Sequence, residues 1–395
     1  MERELRFDLN VQDGAILQAN PQEFFAKAYL DSEVADNYRV LPNIKSKVKI
    51  AIVMFASMLA ESGCAWAATD STLDAVEIDV CAVSAMAQVC QFDIEQSFVS
   101  AQMAQGSNSF EIASFMSYYW AEMASEIKEE VELIRWQGDT GGTFTEDEEF
   151  LALCDGYEVK LDAAALGVTA TLNGTGTAAT LKVNVSRKGV IQSVDVLTAG
   201  AYSVAPTVLT LANTGGGTGA TFTIATSGSS PSITVTGITV TNGGKRYQTR
   251  CEYVTGSTAL AVDTILTELN KVYAKLPKRI RRRKDLLRLY MSPVAADLYR
   301  LATASANTQS YITTSLALTF LDIKIVVADG ISDNTMVMTR ASNLIYAFDG
   351  ATDGEQLKAV NLGDTTNEPI IRTRANLKVG FYLVNHEEIV YYKVV

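Results

Sequence analysis

The chain has 395 residues, with 45 acidic against 33 basic side chains, one histidine, five cysteines and a net charge of −12. An apolar fraction of 48% beside 20% charged residues excludes wholesale disorder, and at roughly 150 residues per domain two or three domains are expected. The charged start Met1-Glu-Arg-Glu-Leu-Arg-Phe-Asp8 excludes a secretory signal, and the longest uncharged apolar run, Ile50–Ala60, is cut by Glu61 well short of a membrane span.

Such a chain is expected to be made and kept in a cytoplasm, with no membrane partner. Cysteines 64, 81, 90, 154 and 251 are widely spaced, with no CxxC and no nearby histidine, so they read as buried free thiols rather than metal ligands. His386 lies in Val384-Asn-His-Glu-Glu-Ile-Val390, which alternates like an edge strand with its polar residues in water. Without a second histidine, a Ser-His-Asp or Cys-His arrangement has no other base to use. No catalytic residue, metal site or cofactor is therefore assigned, and an enzyme is not expected.

In chain order, residues 1–45 lack long-range periodicity and read as an arm carrying one short helix at Asn20–Leu30. Lys45–Val53 alternates like a strand, Ser62-Gly-Cys64 and Thr69–Thr72 mark turns, and Leu73–Val83 alternates again, so 46–83 reads as a long hairpin. Phe110–Trp136 is the strongest helix. Ile112, Met116, Tyr119, Met123, Ile127, Val131 and Ile134 recur every three or four positions, and Gly138 follows as a stop. Its span is about 40 Å at the helical rise. The cluster Tyr118, Tyr119, Trp120 reads as packing.

Between about 166 and 250 the composition changes. Half of the glycines lie there, and no charged residue occurs from Val196 to Gly244. Short alternating strands such as Ser193–Leu197 and Ser232–Thr236 between glycine-rich turns indicate an inserted all-β unit. It repeats weakly: Ala178-Ala-Thr-Leu-Lys-Val-Asn-Val185 returns as Gly219-Ala-Thr-Phe-Thr-Ile224, and Val194–Tyr202 as Ile238–Tyr247. Two copies are too few for a solenoid and read as a packed pair. Gly215-Gly-Gly-Thr-Gly219 lacks the lysine of a phosphate loop and leads into a strand.

Beyond the insert, Leu260–Leu276 and Pro293–Ala302 read as helices, Leu286–Met291, Ile323–Ala328 and Thr335–Thr339 as strands, and Asn376–Val395 alternates. The mixture has no regular βαβ beat and indicates an α+β fold.

Charge is uneven. No Lys or Arg occurs from Ile50 to Ile127, whereas Lys275–Arg288 holds eight bases and one acid. Within that basic run Lys278, Arg279, Arg281, Arg282, Arg283 and Lys284 are candidates for contact with a neighbouring acidic subunit or for sequence-independent binding of nucleic acid, and a solvated loop is the third reading. Acidic contact candidates in the hairpin are Glu61, Asp70, Asp74 and Glu77.

The order of these segments resembles a family. An acidic hairpin, a long helix closing in Glu132-Leu-Ile-Arg-Trp-Gln-Gly-Asp139, then Cys154-Asp-Gly-Tyr157, Leu289-Tyr-Met-Ser-Pro293, Ile323-Lys-Ile-Val-Val327 and Asn343-Leu-Ile-Tyr-Ala-Phe-Asp349 is similar to the major capsid proteins of tailed bacteriophages, the HK-97 type. Segments Pro42–Lys49 and Val89–Phe98 are similar to coat proteins of crAss-like phages and relatives. The resemblance implies an N-terminal arm (1–45), an E-loop (46–83), a peripheral domain with its spine helix (84–165), the all-β insertion domain (166–250), an axial domain (251–359) and C-terminal strands returning to the peripheral domain (360–395).

It implies a virion protein, assembled in the host bacterial cytoplasm into homo-pentamers and homo-hexamers of an icosahedral shell. Its partners would be a portal protein, scaffold and decoration proteins, and double-stranded DNA held without sequence specificity. Two departures are expected. The basic-free stretch 50–127 holds no lysine for a covalent cross-link of the founding member's kind through that loop, and the short arm leaves no large N-terminal scaffolding segment. The alternatives are a phage tail or surface-binding protein whose β repeat recognises glycans, and an encapsulin-like shell.

Overall fold

The computed structural model describes residues 36–55, 71–90, 112–186, 189–212, 216–306, 318–349, 357–361 and 370–394. The expected helix at Asn20–Leu30 and the turns carrying Glu61 and Asp70 lie outside them. The fold is mixed α+β, in two units that the chain enters repeatedly. Of the described residues, 36–48, 78–157 and 344–382 form the first, and 49–77, 158–343 and 383–394 the second.

Strand β1 (Arg39–Leu41) opens the first unit and runs parallel to a later strand, Leu344–Asp349. Residues 36–44 therefore do not form an arm without a core: Asn37, Tyr38 and Ile44 are buried, and the Ile44 amide donates to the Phe348 carbonyl. The hairpin follows as β2 (Val48–Phe55) and β3 (Ser71–Ile78), which form a two-stranded sheet. The alternation read as continuous to Val83 breaks after Ile78. The Asp79 amide donates to Tyr382 Oη at 2.6 Å and the Asp79 carboxylate pairs with Lys47 at 3.2 Å, which ends the ribbon. Strand β4 (Cys81–Cys90) then turns to a different partner.

Helix α1 (Ile112–Gln137) buries Trp120, Ile127, Val131 and Ile134, the three-to-four spacing read in the sequence. It stops at Gly138 because the chain doubles back onto it. A Cβ at Gly138 would lie 2.1 Å from the Cys154 carbonyl oxygen, and one at Gly156 2.6 Å from those of Ile134 and Trp136, so only glycine admits this approach. A 3-10 segment, Glu146–Leu153, makes the return and delivers α2 (Tyr157–Leu166).

The β-rich stretch comprises β5 (Thr169–Leu172), β6 (Gly176–Thr177), β7 (Thr180–Val185), β8 (Ile191–Thr198), β9 (Ala201–Tyr202), β10 (Leu209–Ala212), β11 (Thr218–Ser227) and β12 (Thr234–Lys245). The main sheet has the order β11-β12-β8-β7, with β5 paired to β10 and β6 to β9. Val168, Ala170, Val183, Ile191, Val194 and Tyr247 form its core. The chain continues as β13 (Glu252–Gly256), α3 (Ile265–Lys275), α4 (Lys278–Arg281), β14 (Leu287–Met291), α5 (Pro293–Ala306), β15 (Thr319–Phe320), β16 (Ile323–Val327) and β17 (Thr335–Arg340). Helix α3 starts five residues after the expected Leu260, because the Thr264 hydroxyl accepts the Ala261 amide in a turn that precedes it.

Strands β18 (Leu344–Asp349), β19 (Leu357–Asn361), β20 (Ile370–Leu383) and β21 (Val390–Val394) complete the chain. In the first unit β1, β18, β20 and β19 are neighbours in that order, and β4 lies antiparallel to β20 from Val379↔Cys81 to Ile370↔Cys90. In the second the order is β13-β21-β17-β14-β16-β15. Its core places Ile265, Leu269 and Val272 of α3 and the following Leu276 in one cluster with Leu289, Met291, Met336, Met338 and Tyr392. Strand β17 is buried from Thr335 to Thr339, hence its lack of alternation.

Two expectations fail here. Cys81 and Cys154 are joined in a disulfide, Cα–Cα 5.8 Å. Sequence spacing could not show this, because only β4 and the turn after the 3-10 segment bring together residues 73 apart. Cys90 and Cys251 are free thiols, Cys251 buried with its thiol pushed up to about 12 by burial. Second, His386 is not on an edge strand. It begins a 3-10 turn, His386–Glu388, between β20 and β21, where burial holds its imidazole down to about 4.

Candidate subunit-contact surfaces

At the end of α1, the sequence Ile134-Arg-Trp136 places Arg135 and Trp136 among aromatic rings of three other segments. The Arg135 guanidinium lies 5.1 Å over the Tyr38 ring and 4.7 Å over that of Tyr346, and its Nη1 donates to Glu132 at 3.0 Å. Burial works against its charge, but the Glu132 carboxylate prevails and Arg135 stays protonated. Tyr38 stacks on Tyr157 at 6.1 Å, Tyr346 on Phe381 at 5.7 Å, and Tyr157 Oη donates to the Ile345 carbonyl at 2.8 Å. Burial raises the phenols of Tyr38, Tyr157 and Tyr346, so this site has no acid or base in the neutral range. It is an anchor that fixes α1.

The basic run divides in two. Pro277 follows α3, and the chain turns through α4 with Ile280 buried. Arg279 is paired with the buried carboxylate of Glu388, which Arg340 Nε also approaches at 3.5 Å. Arg281 donates to the carbonyls of Ala274 and Leu276 and lies 5.1 Å over the Tyr273 ring. Lys284 reaches Asp322 at 3.1 Å. These three bind their own unit. Lys275, Lys278, Arg282 and Arg283 are exposed, and none has an ion pair among the described residues. Composition showed the run; only the fold separates its structural members from its free ones.

Of the hairpin acids, Asp74 and Glu77 lie on β3, while Glu61 and Asp70 fall outside the described residues. Elsewhere two runs of acids stand out. Glu122, Glu126 and Glu129 are exposed along α1 with Glu130 half-buried beside them, and Glu146, Asp147, Glu148 and Glu149 open the 3-10 segment. No cluster of histidine, cysteine or carboxylate side chains able to hold a metal occurs among the described residues, and none of their helices is long and apolar enough to cross a membrane.

In the β-rich stretch the aromatic residues are turned inward. Tyr202 and Tyr247 are buried, and Phe222 is half-buried. The Tyr202 hydroxyl accepts the Ala179 amide at 2.7 Å, and the Tyr247 hydroxyl accepts that of Ala220 at 3.1 Å.

No family model matches the chain, and no curated protein matches it. Among solved structures it is similar to the capsid of an empty GTA particle computed with C5 symmetry, at 13% identity and TM-score 0.46 over 93% of this chain and 91% of that one. It is also similar to the satellite phage P4 procapsid, at 8% identity and TM-score 0.47 over 100% and 99%. The cyanophage A-1(L) capsid asymmetric unit matches at 10% identity and TM-score 0.45 over 93% and 95%.

Proposed function

We propose that this chain is the major capsid protein of a tailed bacteriophage, a structural subunit that assembles into pentamers and hexamers of an icosahedral shell around double-stranded DNA. The observation that carries this reading is the ribbon β2–β3. It pairs with no other strand among the described residues, and an isolated two-stranded ribbon is marginal in water, so a neighbour has to cover it. It precedes a long helix anchored by an aromatic cluster, the order that the sequence resemblance names. Repeated contacts of one chain close into rings and shells. With a net charge of −12 the shell confines DNA rather than gripping it. Portal, scaffold and decoration proteins are the further partners of this reading, and the mature virion its location, with assembly in the host cytoplasm.

A glycan-binding tail protein would present rings on its β module, and the burial of Tyr202 and Tyr247 speaks against that. An encapsulin-like shell would differ in its cargo. Sedimentation velocity of the full chain, alone and with a scaffold protein, tests the proposal. Species of five or six subunits, or a shell boundary, are expected; monomers or elongated trimers under every condition would refute it.

A further inference from the structure

We propose that the exposed basic face formed by Lys275, Lys278, Arg282 and Arg283 docks a second copy of this chain by receiving the acidic face of that copy's α1. The inference rests on the shell reading and specifies one of its contacts. On the basic side, Arg279, Arg281 and Lys284 are occupied within the subunit and Arg288 donates to the carbonyls of Asp285 and Leu287, which leaves four exposed bases with no ion pair among the described residues.

On the acidic side, Glu122 and Glu126 are four residues apart on α1, as are Glu126 and Glu130, with Glu129 between the rows. Like charges at this spacing destabilise a helix, and these lie mid-helix, away from the N-terminal turn where acids are favourable. Burial and the neighbouring Glu126 both raise the Glu130 carboxyl above its ordinary value. Some neighbouring acids of the same unit have partners. Glu132 is held by Arg135, and Glu146–Glu149 open a 3-10 segment in which Glu148 accepts the Thr145 hydroxyl. Bases from outside would offset like-charge repulsion on the α1 face.

A basic face on one segment and an acidic face on another make a head-to-tail contact, the kind that closes into rings. DNA as the occupant of the basic face would leave the acidic face unaffected, and that separates the two.

The test is charge reversal in the full-length chain, under conditions where the unmodified chain assembles. Arg282→Glu with Arg283→Glu, and separately Glu122→Lys with Glu126→Lys, should each cut the sedimenting assembled fraction by about tenfold. The four substitutions together should restore it to within about twofold of the unmodified chain. Neither pair should lower the Tm of the unassembled subunit. A combined variant no better than the worse pair would overturn the proposal. So would normal assembly of the arginine variant with loss of packaged DNA alone, or an equal loss of Tm in the unassembled chain, which would place the contact within one subunit. An unmodified chain that never assembles would instead fell the shell reading, and this inference with it.

Discussion

His386, the single histidine, has its imidazole held down to about 4 by burial, against an ordinary value of 6.5. Above pH 6.5 the ring is neutral folded or unfolded. As pH falls from 6.5 to 4 the unfolded chain takes up a proton that the native chain refuses, so stability is lost across that window. The full shift corresponds to about 3 kcal/mol, which solvent screening at a half-buried ring reduces to about 1–2 kcal/mol. The Tm of the wild-type chain should therefore fall more steeply between pH 7 and pH 4.5 than that of His386→Asn; parallel curves would contradict the burial. Among the cysteines, Cys81–Cys154 closes a loop of 73 residues, and a chain-entropy estimate puts its contribution at about 4 kcal/mol. Reductant should lower the urea midpoint of the wild type and leave that of Cys81→Ser with Cys154→Ser unmoved. An equal response in both would mean that the bond is absent. Native alkylation should label Cys90 while sparing Cys251, whose buried thiol is held up to about 12.

At the scale of elements, the β-rich stretch uses one device twice. Tyr202 accepts the Ala179 amide and Tyr247 that of Ala220, and the glycines preceding them, Gly200 at φ 67° and Gly244 at φ 62°, lie against those same amides. A Cβ at either position would come within 2.7 Å of the amide nitrogen, and the positive φ independently favours glycine. Tyr202→Phe or Tyr247→Phe strands a backbone donor, at a cost of about 1–3 kcal/mol. Hydrogen exchange should show lost protection at Ala179 in the first variant and at Ala220 in the second, each without effect on the other; unchanged exchange at both would show that the hydroxyls do not hold these turns. Much of this scale was legible. Periodicity located α1 because its buried face recurs every three or four residues, and β14, β16 and β17 because compact β-branched and aliphatic runs lie between turn residues. What pattern could not show is where two elements with the same period part company. The β3–β4 break depends on Tyr382, 303 residues from Asp79, and the capture of Arg279 by Glu388 spans 109 residues. Such long-range pairs leave no mark on local alternation, which is also why the disulfide was missed and the six bases read as one patch.

At the scale of the whole molecule, each of the two units is built from segments far apart in the chain, so cutting one connection would disturb both. Among the described residues the ribbon β2–β3 pairs with no other strand, and neither Glu122, Glu126 and Glu129 of α1 nor the four exposed bases beside α4 have an ion pair. The central claim is that copies of this chain supply what each lacks. Electron microscopy of the full-length chain, expressed with a scaffold protein, tests it most directly. Closed shells of uniform diameter with fivefold and sixfold capsomers are the predicted outcome, and a field of monomers or elongated trimers would contradict it.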